Sequence, residues 1–134
     1  MVSTRPSTPS INVHVLDDQH AVLIENIERL EQAISNGQGA ADLPQIIREV
    51  AEYAAYHCPT EERLMASYDY PLRDLHAMEH RKFFDRLGEI ERMLKEGHAT
   101  AAAQTLSRLR GWLDRHIMDW DARLGEFLNR CGVD

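Results

Sequence analysis

Residues 42–68 read DLPQIIREVAEYAAYHCPTEERLMASY. Within them Leu43, Ile47, Val50, Ala54, His57, Glu61, Leu64 and Tyr68 recur in steps of four and three, the spacing that lines one face of an α-helix. The start has the form of a capping box, Asp42-Leu-Pro-Gln45, with Pro44 in the first turn, where its missing N–H costs nothing. The end is expected before Pro71. Two members of this apolar face, His57 and Glu61, are polar, and Pro59 between them is expected to disturb the helix one turn back, near Ala55.

Three further segments show the same periodicity. The first is expected to begin near Asp17 as N-cap and carries Leu16, His20, Leu23, Ile27, Leu30 and Ile34; it stops at Ser35-Asn36-Gly37, where Gly37 can take a left-handed cap. A second, with Leu72, His76, His80, Phe83, Leu87, Ile90 and Leu94, is closed by Gly97. The last runs from about Thr100 with Ala102, Leu106, Leu109, Leu113, His116 and Trp120 inward, and continues through Leu124, Phe127 and Leu128. With no strand pattern and no internal repeat, four amphipathic helices and short loops predict an all-α, up-down-up-down four-helix bundle behind an N-terminal extended arm.

The 134 residues suit one domain. Residues 1–12, opening MVSTRPSTPS, are expected to be a mobile tail and residues 13–134 the bundle. That opening has no apolar h-region, so no signal peptide is expected. A net charge of -7 argues against nucleic-acid and anionic-membrane surfaces, which require clustered Lys and Arg. The apolar runs are too short to span a bilayer. Cys58 and Cys131 form neither a disulfide framework nor a CxxC pair, which is compatible with a reducing compartment and a cytoplasmic protein.

Polar residues lie inside all four seams. His57 with Glu61, and His76 with His80, are four apart, so each pair stands on one face and can converge on one point. Glu62, five residues from His57, points about 140° away from it and is expected to be solvated. Asp121 is likewise five from His116, so joining the same centre requires a break or change of pitch between Ile117 and Asp121. Five imidazoles and a carboxylate buried together without partners would each cost on the order of 1–3 kcal/mol, rivalling the roughly 5–15 kcal/mol that stabilises a whole domain. A bound metal offsets that cost. Five nitrogens and two carboxylates exceed one tetrahedral zinc and suit two bridged metals, iron or manganese. Cys58, roughly 100° round the helix from His57, is expected to be a small hydrophobe.

The joint pattern D-x-Q-H (Asp17 to His20), H-x-x-x-E-E-x-x-M (His57 to Met65), H-x-x-x-H (His76 to His80) and H-x-x-x-x-D (His116 to Asp121) resembles the hemerythrins, especially single-domain bacterial ones. The resemblance implies two iron ions (Fe2+/Fe3+) per chain with a bridging oxo or hydroxo group. His76, His80 and His116 would hold one iron, His20 and His57 the other, and Glu61 and Asp121 would bridge them. O2 would bind reversibly, end-on as hydroperoxide, at the five-coordinate iron, for storage, delivery or sensing rather than as an enzyme. Alternatives are a di-iron redox enzyme acting on nitric oxide or peroxide, and an iron-handling protein. Leu23, Ile24, Ile117 and Trp120 are expected to wall the O2 pocket, with Trp112 and Tyr53 as possible shields or hydrogen-bonding supports. The chain departs from the bacterial pattern in lacking a Trp before D-x-Q-H and in having Cys58-Pro59 where an aromatic often follows the histidine. His14 and His98 match no ligand position and are expected to be exposed.

Overall fold

A computed structural model describes residues 9–37 and 42–134; residues 1–8 of the expected tail lie outside the described part. Helices α1 (His14–Ser35), α2 (Leu43–Ser67), α3 (Arg73–Lys95) and α4 (Ala99–His116) form the bundle, and α4 continues through a π-helical turn (Ile117–Asp121) into α5 (Ala122–Arg130). Helix α1 packs against α2 and α4, and α3 against α2 and α4, so four neighbouring faces enclose one core. No strand occurs among the described residues, and none of their helices is long and apolar enough to cross a membrane.

Two expected caps take other roles. Helix α1 starts at His14, before Asp17, because Val13 is extended and its carbonyl already accepts the Asp17 N–H at 2.9 Å. The Asp17 carboxylate instead accepts the Ile11 N–H at 2.8 Å and the Ser10 hydroxyl at 2.6 Å. The 42–45 capping box does not form, since Gln45 is drawn to Glu49 and Arg48 one turn ahead. Gly37 and Gly97 do close α1 and α3 with positive φ (61° and 81°), while α2 is closed by Asp69 at φ 54°. Helix α2 runs unbroken past Pro59, whose missing N–H leaves the Ala55 carbonyl without its usual donor.

Beyond Glu61 the buried stripe of α2 passes through Met65, fully buried, rather than through Leu64 and Tyr68, the latter exposed. Two successive steps of four, from His57 to Glu61 to Met65, carry the stripe round by roughly 80°. In the last helix the buried positions Ala102, Leu106, Leu109, Leu113 and His116 advance in fours and threes, then step by five to Asp121 and resume at Leu124 and Leu128. The π turn absorbs that extra residue. Trp120 and Phe127, expected inward at regular spacing, are therefore only partly buried.

The packed domain begins before residue 13. Ile11 is buried and its backbone crosses α5 at Gly125, where a Cβ would collide with the Ile11 carbonyl. Asn129 donates to the Asn12 carbonyl at 2.9 Å, and the His14 N–H donates to the Asp134 carbonyl at 3.1 Å. Residues 11, 12 and 14 are thus tied to α5 and the C-terminal residues.

Candidate metal centre

Each helix of the bundle brings polar groups to one level of the core: His20 from α1, His57 and Glu61 from α2, His76 and His80 from α3, and His116 and Asp121 from either end of the π turn. All seven are 0–5% exposed. The helical steps of four align His57 with Glu61 and His76 with His80, and the π turn brings Asp121 onto the face of His116 despite the step of five.

The two carboxylates divide their oxygens between two groups of nitrogens. Glu61 Oε2 lies 3.0 Å from His20 Nε2 and 2.9 Å from His57 Nε2. Its Oε1 lies 3.0 Å from both His76 Nε2 and His80 Nε2. Asp121 repeats the division, with Oδ2 3.0 Å from His20 Nε2, and Oδ1 2.9 Å from His76 Nε2 and 3.2 Å from His116 Nε2. Ring contacts group the imidazoles the same way: His20 meets His57 edge-on at 4.7 Å, while His76, His80 and His116 pack together at 4.9–5.6 Å.

These contacts are short, yet several cannot be hydrogen bonds. Both Asp121 oxygens, and Nε2 of His116, are fully buried with no partner at a hydrogen-bonding angle. Nor does the Nδ1 of His20, His76 or His116 find one. Orphaned atoms are costly in a core, and for the Asp121 oxygens and His116 Nε2 a cation that collects their lone pairs removes the cost. Ligand bonds of about 2.1 Å at right angles hold neighbouring donor atoms about 3.0 Å apart, which matches the N···O spacings found. Glu61, His76, His80, His116 and Asp121 form one such set, and His20, His57 and Glu61 another, with donor atoms in each within 4.8 Å of one another. An all-imidazole and carboxylate donor set fits two iron ions.

Without a cation the same crowding holds protons. Burial pushes the His20 imidazole down, but the Asp121 and Glu61 carboxylates outweigh it and lift it to about 10. Burial likewise opposes His80, which contacts with Cys58 and Glu61 lift to about 11. His76 is raised for the same carboxylate reasons against the same burial. Burial would raise Glu61 and Asp121, yet the surrounding imidazoles hold both below the usual carboxylate range.

The family model of the Hemerythrin HHE cation binding domain matches residues 12–128. The chain belongs to the hemerythrin family. It is 32% identical over 108 residues to a bacteriohemerythrin of Stenotrophomonas maltophilia, covering 81% of this chain and 69% of that one. It is 29% identical over 110 residues to a bacteriohemerythrin of Pseudomonas aeruginosa (82% and 71% covered), and 25% identical over 118 residues to one of Methylococcus capsulatus (88% and 89%).

Two residues that support the histidines of this hemerythrin site were not singled out by spacing. Gln19 Oε1 sits 2.8 Å from His57 Nδ1, where it accepts the imidazole N–H, and Gln19 is itself buried. Glu62, expected to be solvated, reaches His80 Nδ1 at 2.7 Å while its side chain stays 42% exposed. Glu62 does point away from His57, and α3 packs where it points. The D-x-Q-H and E-E motifs contained both residues as unassigned letters.

Leu23, Ile24 and Ile117 are buried. Trp120 stands edge-on to His76 at 5.9 Å with Arg123 over its ring, so the π turn places it beside the three-nitrogen group rather than beside His20 and His57. Trp112 stacks on His116 at 4.8 Å, whereas Tyr53, partly buried against the core, meets Tyr56 at 5.7 Å. Cys58 is buried, and burial pushes its thiol up in spite of a contact with His80. His14 and His98 are exposed.

Proposed function

We propose that the protein binds O2 reversibly at a di-iron centre. His76, His80 and His116 hold one ion and His20 and His57 the other, with Glu61 and Asp121 bridging beside an oxo or hydroxo group. The observation that carries this reading is the division of both carboxylates, oxygen by oxygen, between a three-nitrogen and a two-nitrogen group. Three nitrogens and three bridging oxygens complete six positions; two nitrogens and three oxygens complete five. The ion that His20 and His57 would hold would thus keep one position open for end-on O2. When bound, the two ferrous ions supply the two electrons that hold O2 in a reduced form.

The residues of the chain do the rest. Gln19 and Glu62 fix which nitrogen of His57 and His80 faces inward. Leu23 and Ile24, one turn after His20, and Ile117 give that side an apolar surround that keeps bulk water from the bound O2. This favours release of O2 over turnover, and hence a carrier, store or sensor over an oxidase. To test it, the iron-loaded protein is reduced without air, exposed to O2 and then degassed. Two irons per chain and a charge-transfer band that appears and disappears over repeated cycles are expected; irreversible bleaching on first exposure would sink the reading.

A further inference from the structure

On a molecule of net charge -7, one groove reverses the sign. It lies between α3 and α4, has a volume of about 440 Å3, and its charged and aromatic lining is Lys82, Asp85, Arg86 and Glu89 on one side and Arg108, Trp112 and Arg115 on the other, four basic groups against two acidic. Lys82 and Arg86 pair within their own helix, with Glu79 at 2.6 Å and Glu89 at 3.4 Å. Arg108 and Arg115, seven residues apart along α4, make no ion pair among the described residues. Arg115 has room to fold back because position 111 is Gly, where a Cβ would stand 3.3 Å from its Nη1.

The groove is one side chain away from the metal centre. Trp112 lines both this groove and the adjoining cleft that contains His116, and its ring stacks on that imidazole at 4.8 Å with 20° between the planes. Because the seven site residues are almost wholly buried, an external reductant reaches the ions only through protein. Trp112 is one aromatic contact from solvent to a ligand of the three-nitrogen ion.

Resting on the di-iron reading, we propose that the α3–α4 groove docks an acidic one-electron carrier protein, with Trp112 positioning the electron's entry at His116. Each reduced carrier gives up one electron and converts one ferric ion to ferrous, so two carriers return an autoxidised pair to the O2-binding state. Unpaired guanidinium groups beside a partly exposed aromatic ring suit a partner whose redox group is ringed by carboxylates.

Reduced acidic ferredoxin is the probe. Mixed without air with the diferric protein, it should reduce wild type at a rate that falls with salt, and Arg108→Glu with Arg115→Glu should slow that rate at least tenfold at low salt. Reduction by an uncharged hydroquinone should change less than twofold in the same variant. Trp112→Leu, at equal iron content, should lower the rate at saturating ferredoxin, and an unchanged saturating rate overturns the entry route. Equal ferredoxin rates in wild type and the double variant, or equal slowing with hydroquinone, overturns the proposal. Calorimetric binding of oxidised ferredoxin reads docking separately from iron chemistry: at least tenfold weaker binding by the double variant is expected, and unchanged binding overturns the site. Failure of the O2 cycle described above would instead leave this binding result intact.

Discussion

Glu62 and Gln19 show how much a single oxygen behind an imidazole decides. His80 is backed by a carboxylate and His57 by an amide, so the two metal positions proposed above would differ in the donor strength of their ligands as well as in nitrogen count. Replacing Glu62 by Ala frees the His80 ring, and metal affinity should drop roughly 10- to 100-fold, read by competition with a chelator. Because the substitution also leaves the buried His80 Nδ1 without its partner, urea stability of the metal-free protein should fall by about 1–3 kcal/mol. A variant that holds metal as tightly as wild type would remove Glu62 from the site. Spacing within α2 told which residues share a direction with His57, but it carried no information about what α3 places opposite Glu62. For the same reason the seven histidine and carboxylate positions were legible while their supports were not.

At the level of elements, periodicity located every helix, and the five-residue step from His116 to Asp121 foretold the π turn. Ends were less legible, because capping depends on competing local partners: Asp17 is taken by the arm and Gln45 by Glu49. The end of α2 shows a cap that the sequence fills with an unfavourable residue. Asp69 sits at φ 54° while the Tyr70 N–H closes back on the Met65 carbonyl at 2.9 Å. A left-handed position there favours glycine, so Asp69→Gly should stabilise the protein by about 0.5–1 kcal/mol. Chemical denaturation of the metal-free form checks this, and a loss of stability would show that the Asp69 side chain contributes more than its backbone costs. The arm was the least legible element. The contact of Ile11 with Gly125 joins residues more than a hundred positions apart, beyond any local pattern.

For the whole molecule, the site couples stability to pH. In the metal-free protein Glu61 and Asp121 are held below their ordinary range, so their contribution is present above about pH 4.5 and lost as pH falls. His20 and His80 are lifted from 6.5 to about 10 and about 11, so theirs is complete below pH 6.5 and fades as pH rises toward those values. Metal-free protein should therefore be most stable between about pH 4.5 and 6.5. Metal needs neutral imidazoles and displaces those protons, so the stability gap between loaded and chelator-treated protein should widen above pH 6.5. Urea titrations of both forms from pH 4 to 9 measure the gap; a gap that narrows with rising pH contradicts the linkage. The convergence of all four helices on two carboxylates has one more consequence. With the ions in place, chain segments as distant as residues 20 and 121 would be riveted at one point, closing loops of about a hundred residues and so stripping conformational entropy from any unfolded chain that still held the ions. No helix can then peel away by itself, and the loaded bundle lets go of its ions and its shape in a single event.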